Sequence, residues 1–317
     1  MKTLLIITAL VLISVVSFAQ QNAQFGQYIF NQLIINPAYA GTKGDLNFQG
    51  IYSSQWTGLN GSPTTQSVSI EGPISSSMGL GLHLINDQIG AQAQRSLYGS
   101  YAYKIRLNQN LRLSLGISAG ASYFLLDGNK LIMQNEIDPA IPLNQVNTYR
   151  FDSKAGAFLY GKMFYVGFSI SDLTANTLSS QDLMVTGQAS HYYITSGYII
   201  KLSPSLRFKP SFMIKEDFKA PTNIDLSGFL LYNNRFWLGA SVRTGAKIFN
   251  TKELDNSLRS RDALLFMTEI NITENFRIGY AYTLTISSLK DYPGHEILLG
   301  YYLSKKPKTK MFTPRYF

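Results

Sequence analysis

Leu97-Tyr98-Gly99-Ser100-Tyr101-Ala102-Tyr103-Lys104-Ile105-Arg106 is followed by a break at Asn108-Gln109-Asn110. Then comes Leu111-Arg112-Leu113-Ser114-Leu115-Gly116-Ile117-Ser118-Ala119-Gly120-Ala121-Ser122-Tyr123. Leu97, Gly99, Tyr101, Tyr103 and Ile105 share one parity. Tyr98, Ser100, Ala102, Lys104 and Arg106 share the other, and the alternation resumes after the break. A period of two held this long predicts β-strands with one apolar and one polar face. Both strands exceed the five or six residues usual in soluble proteins. Two long alternating strands joined by a tight turn are the repeating unit of a transmembrane barrel.

The rest of the chain repeats the unit. Working outward from the hairpin, strands are expected at 46–56, 64–71, 78–85, 149–160, 164–171 and 191–201. Further strands are expected at 206–215, 224–232, 236–244, 263–270, 276–284 and 295–303. With the hairpin, this predicts an all-β outer-membrane barrel of about fourteen antiparallel strands. Connections after even strands are short and rich in Gly, Asn, Pro and Ser, as at Asn233-Asn234. Those after odd strands are mostly longer, as at 127–148, 172–190 and 245–261. Outer-membrane barrels segregate short periplasmic turns from long extracellular loops, which places both chain ends in the periplasm. One strand, 263–270, leaves its parity open, because Leu264, Phe266 and Ile270 compete with Leu265 and Met267.

The cost of a cation against lipid assigns the faces. Arg or Lys at the bilayer midplane costs about 2–4 kcal/mol. Arg112, Arg150, Asp152, Lys154, Arg207, Lys209, Asp225, Arg235, Arg243 and Arg277 mostly share the parity opposite the Leu/Ile/Tyr face, so they are expected to line a charged lumen. Such a lumen reads as salt-bridged filler or, alternatively, as an anion-selective pore.

Composition agrees. The 317 residues contain no cysteine, and Tyr (20) and Phe (19) are abundant, as strands and aromatic girdles require. No segment after the N-terminus offers twenty uninterrupted apolar residues, which excludes helical spanning. Lys2, the apolar run Leu4–Val16 and Ser17-Phe18-Ala19 read as a secretory signal over residues 1–19. The net charge of +9 suits an anionic surface or an acidic partner, and nucleic acid is not expected.

Two stretches fall outside the strand pattern. Residues 20–45 carry Phe25, Tyr28, Ile29, Phe30, Leu33 and Ile34 at a spacing closer to helical, ended by Asn36-Pro37. This segment reads as packing filler or as a plug or docking element at the barrel mouth. After the barrel (46–303), residues 304–317 form a basic tail with Lys305, Lys306, Pro314, Arg315, Tyr316 and Phe317. It reads as a simple extension or as an anchor on a periplasmic partner.

Catalytic chemistry is sparse. His83 falls on the lumen parity, while His191 and His295 sit at strand starts, and none has a metal-ligand partner at short spacing. Gly79-Leu80-Gly81 lacks the following helix that a phosphate loop needs. A barrel hydrolase using His83 is the weakest reading, and no cofactor is expected.

Gln27-Tyr28-Ile29-Phe30-Asn31 and Ile35-Asn36-Pro37-Ala38-Tyr39-Ala40-Gly41 resemble the PorP/SprF family, outer-membrane proteins of the type IX secretion system of Bacteroidetes. The likeness continues through residues 55–65 (with Trp56), residues 79–90 and the closing Pro314-Arg315-Tyr316-Phe317. Gln32 stands where a proline is common, and Ser54 where a basic residue is common. The resemblance implies a non-enzymatic outer-membrane protein. It would help export or anchor a cell-surface protein, such as a gliding adhesin, that carries a type IX C-terminal domain. The implied partners are periplasmic ring and peptidoglycan-linked components. Candidate partner-binding residues are Tyr28, Phe30, Asn36, Pro37, Tyr39, Gly41, Trp56, Lys305, Lys306, Pro314, Arg315, Tyr316 and Phe317. The alternative is an outer-membrane channel for small or hydrophobic solutes.

Overall fold

The computed structural model describes residues 26–131, 142, 144–174, 190–218, 220–246, 248–249, 263–286 and 289–303. The expected signal (1–19) and basic tail (304–317) lie outside the described residues.

Alternation becomes a closed antiparallel barrel of fourteen strands. The strands are β1 (Leu46–Ser54), β2 (Thr64–Pro73), β3 (Met78–Ile89), β4 (Gln92–Arg106), β5 (Arg112–Asp127), β6 (Gln145–Tyr160) and β7 (Phe164–Ser171). They continue as β8 (His191–Tyr198), β9 (Leu206–Glu216), β10 (Thr222–Tyr232), β11 (Phe236–Ala246), β12 (Ala263–Asn271), β13 (Phe276–Thr285) and β14 (Gly294–Leu303). Each strand pairs with its sequence neighbours, and β1 pairs with β14 from Leu46↔Leu303 to Ser54↔His295, which leaves no free edge. In β8 the ladder against β9 lapses at Tyr198 and Ile199 and resumes at Ile200–Lys201 in the same register. The cause lies on β9. Pro210 has no N–H, so the ladder loses a bond there.

The opening hairpin is longer than its sequence pattern suggests. β4 and β5 pair from Gln92↔Leu126 to Arg106↔Arg112. The additional pairs involve Gln92, Gln94 and Arg95, polar residues that carry the strands past the apolar pattern. The first strand, by contrast, stops short of Trp56, whose φ of 50° breaks the extended path. The turns after even strands span 74–77, 107–111, 161–163, 202–205, 233–235 and 272–275. Asn233 and Asn234 both take positive φ in the three-residue turn 233–235, a conformation that asparagine tolerates better than most residues. The connections after odd strands include 128–144, 172–190 and 247–262. The one after β3 is only Gly90–Ala91, so loop length is not segregated at every position.

The two faces separate as parity predicts. Leu82, Leu97, Leu115, Ile117, Val242 and Leu299 stand outward and exposed. A band of this size on a barrel with no edge is a lipid-facing surface. Ser100, Lys104, Ser114, Ser118, Arg150 and Asp152 are buried inside. The open parity of β12 resolves by what it faces. Leu265 (1% exposed) and Met267 (2%) point inward with Glu269, whereas Phe266 (49%) and Ile270 (41%) point to lipid. Arg235 departs from the lumen assignment. It lies exposed in the β10–β11 turn and donates to the carbonyls of Asn271 and Ile272.

Leu82 sits midway along β3, between Ile70 on β2 and Gly99 on β4. Leu82→Arg is expected to destabilise the barrel in lipid vesicles by about 2–4 kcal/mol, while Leu82→Ala costs less. Chemical unfolding of the folded protein in vesicles checks this.

Candidate functional site: the segment inside the barrel

Residues 26–42 do not form a helix. They make three short 3₁₀ turns, Gly26–Phe30, Gln32–Ile34 and Pro37–Tyr39. Asn36 explains the last break. The residue before a proline avoids the helical region, and its Oδ1 accepts from the Ala38 amide at 3.0 Å. The helical spacing read in the sequence is therefore corrected. The apolar residues face several sides of the lumen instead of one helical stripe.

Every residue from Gly26 to Thr42 is buried. The segment crosses the lumen from the β12–β14 wall to the β5–β7 wall and leaves by the end that carries the short turns, where β1 begins.

Turns this short leave most backbone polar groups without internal partners, and burial makes each such orphan costly. The wall supplies the partners. The Glu296 carboxylate accepts from the amides of Gly26 (3.0 Å) and Gln27 (2.7 Å). Glu71 accepts from the Gly41 amide at 2.6 Å. The Phe30 carbonyl receives Gln49 Nε2 (3.0 Å) and Arg277 Nη2 (3.4 Å). Lys154 Nζ donates to Ile34 O (3.4 Å), Ser169 Oγ to Ile35 O (2.7 Å) and Lys104 Nζ to Gly41 O (3.0 Å). These carboxylates and cations come from different strands, so the lumen's charges converge on one piece of main chain.

Side chains add fixed points. Phe30 packs edge-on against Phe229 (5.4 Å between ring centres) and Trp237 (6.2 Å). Tyr39 packs edge-on against Phe158 at 5.4 Å. Asn36 Nδ2 donates to the carbonyls of Ala157 (3.1 Å) and Phe168 (3.3 Å), and Asn31 Nδ2 to Ser69 Oγ (3.0 Å). Burial pushes the Tyr28 and Tyr39 phenols well above the ordinary tyrosine range, so both stay neutral.

Strand glycines make the room. A Cβ on Gly79 would overlap Ala40 O, one on Gly116 the Ala38 backbone, one on Gly156 Asn36 Oδ1 and one on Gly279 Gln27 Oε1. A glycine inside a strand weakens it unless something must approach closely; a backbone does so at Gly79 and Gly116, and a side-chain amide at Gly156 and Gly279. Next to the segment, two ion pairs brace the wall. Arg243 grips Asp225 through two bonds of 2.8 Å, and Arg277 holds Glu269 at 3.0 Å. The lumen expected to be charged is, in this half, also occupied by buried chain. On the long-loop side, Ile34 and Ile35 floor a cleft of about 50 Å³ whose walls include Ile85, Gln94, Tyr98 and Tyr193.

Of the residues singled out in the sequence, Tyr28, Phe30, Asn36, Pro37, Tyr39 and Gly41 thus come together inside the barrel, on its wall. Trp56 lies apart, half-exposed in the β1–β2 loop. Lys305, Lys306, Pro314, Arg315, Tyr316 and Phe317 fall outside the described residues. His83 is buried in the lumen with Nε2 3.0 Å from Ser67 Oγ, His191 pairs with Asp172 at 3.0 Å, and His295 bonds Tyr280 OH at 2.8 Å. Missed in the sequence were Glu71, Glu296, Gln49, Lys104 and the glycines at 79, 116, 156 and 279. The glycines carried a signal, because they sit at lumen parity inside strands, where glycine is otherwise unfavourable.

Gly116→Val is expected to force Ala38 away from β5. Overpacking of about 1–3 kcal/mol raises the open population of the segment roughly 5- to 150-fold. Limited proteolysis of the folded protein, with fragments mapped by mass spectrometry, should then cleave within 26–42 while the strands resist.

Several solved structures share the fold. The chain is similar to the CymD monoaromatic hydrocarbon channel (11% identity, 92% of this chain and 96% of that one, TM-score 0.50). It is also similar to a deltaS2 mutant of the TodX monoaromatic hydrocarbon channel (10%, 85% and 93%, TM-score 0.50). The outer-membrane protein Omp33 of Acinetobacter baumannii matches less well (11%, 83% and 100%, TM-score 0.46). At these identities the likeness shows the barrel alone. No curated protein matches the chain. The model of the family described as type IX secretion system membrane protein PorP/SprF, however, matches residues 17–301, nearly the whole length. The chain therefore belongs to the PorP/SprF family of type IX secretion system membrane proteins.

Proposed function

We propose that this protein is a non-enzymatic outer-membrane component of type IX secretion that helps export or anchor a cell-surface protein. The family match over residues 17–301 carries this reading. The cargo is a surface protein bearing a type IX C-terminal domain, with a gliding adhesin as one example. Long loops such as 128–144, 172–190 and 247–262 face the outside and receive it. The short turns and both chain ends face the periplasm, where ring and peptidoglycan-linked components are the neighbours. Short turns on one side of the barrel support this orientation.

Residues 26–42 act as a plug in this account. Their burial against both sides of the wall weighs against a general pore and against the solute-channel alternative, in spite of the shared fold with hydrocarbon channels. In planar bilayers the intact protein is expected to give no steady ion conductance. Stable open-channel currents would favour the transport reading instead.

Deleting the gene is expected to remove one or a few surface proteins from the cell exterior, leaving other outer-membrane barrels at normal levels. Protease shaving of intact cells followed by mass spectrometry reads this out. An unchanged set of surface proteins overturns the proposal.

A further inference from the structure

The wall recognises the inner segment in an unusual way. Much of its contact is with main chain. Glu296 and Glu71 take amides, while Gln49, Arg277, Lys154, Ser169 and Lys104 give to carbonyls. Every polypeptide carries those groups. The glycines at 79 and 116 let a backbone lie directly on the strands, and they too are indifferent to the side chains of what lies there, whereas Gly156 makes room for the Asn36 side chain. Side-chain reading is concentrated at a few points. Phe30 seats against Phe229 and Trp237, Tyr39 against Phe158, and Asn36 reaches carbonyls of β6 and β7.

We infer that the lumen wall is a polypeptide-binding groove, held at rest by the chain's own residues 26–42, and that an irregular stretch of a second polypeptide with aromatic anchors can take the same place. The ligand class follows from the wall. It is a stretch without regular secondary structure, whose free amides and carbonyls match the carboxylates and cations. It has small residues where the glycines force close approach. It has two aromatic side chains separated as Phe30 and Tyr39 are, to fill the two aromatic pockets. A helix fails on the first requirement, since its amides and carbonyls are internally bonded. The inference rests on the reading of this protein as one that handles another polypeptide, but its test needs no secretion system.

The test uses the purified barrel in detergent or nanodiscs. A variant lacking residues 22–42 is titrated with three labelled synthetic peptides, followed by fluorescence anisotropy. The first has the sequence of residues 22–42. The second keeps only Phe30 and Tyr39 in place and replaces the rest by Ala, Ser and Gly. The third is the first with Phe30→Ala and Tyr39→Ala. The second peptide is expected to bind within about tenfold of the first, and the third to bind more weakly than the second. If the second binds more than a hundredfold more weakly than the first, the wall reads only its own sequence and the inference is overturned.

If the shortened barrel does not fold, the full chain gives the same decision. Asn31 and Ser69 touch at 3.0 Å, and the chain has no cysteine, so Asn31→Cys with Ser69→Cys provides a clean lock. The reduced form is expected to take up the second peptide and the oxidised form to exclude it. Equal uptake by both forms, or none by either, overturns the inference. Neither result depends on surface-protein levels in cells, so failure here is distinct from failure of the secretion reading.

Discussion

The structure depends on how the main chain of residues 26–42 finds its hydrogen-bond partners. A segment of short 3₁₀ turns, buried in a lumen away from water, would leave several amides and carbonyls unsatisfied. Each orphan costs on the order of 1–3 kcal/mol. The barrel removes that cost by aiming Glu71, Glu296, Gln49, Lys104, Lys154 and Arg277 at those groups. The dependence runs both ways. Buried charges are tolerated only when paired or hydrogen-bonded, and the segment supplies partners for carboxylates and cations that would otherwise face a void. Barrel wall and inner segment are therefore two halves of one polar network.

That network is more than the strand pairing alone supplies. The likeness to hydrocarbon channels lies in the sheet. What fills the lumen here is the chain's own segment. Here glycines at 79 and 116 remove side chains where the segment's backbone touches the strands, those at 156 and 279 make room for the Asn36 and Gln27 side chains, and aromatic pockets at Phe229–Trp237 and at Phe158 receive Phe30 and Tyr39. These features make the lumen fit a polypeptide closely.

Much of the fold was legible in the sequence because a transmembrane strand must alternate. The lipid face tolerates little polarity, so Leu97 to Ile105 and Leu111 to Tyr123 declare their faces without help from tertiary structure. Legibility failed where that constraint lapses. At Gln92–Arg95 the strand runs on with polar residues and no apolar parity to read. At β12 both parities are apolar, because Leu265 and Met267 face the inner segment rather than water. At Tyr28, Ile29, Phe30, Leu33 and Ile34 the spacing imitates a helix, because a segment surrounded by wall buries apolar residues on several sides. The candidate site was half legible. Tyr28 to Gly41 stood out, but their partners are scattered over strands far apart in sequence and converge only on closure. The strand glycines were visible, yet what they make room for was not.

The claim that residues 26–42 are held by the wall is tested most directly by amide hydrogen exchange on the protein folded in lipid, read on peptides covering that segment. The account predicts that the amides of Gly26, Gln27 and Gly41, bonded to Glu296 and Glu71, exchange as slowly as those of the neighbouring strands. Exchange at the rate of an unstructured chain would contradict it.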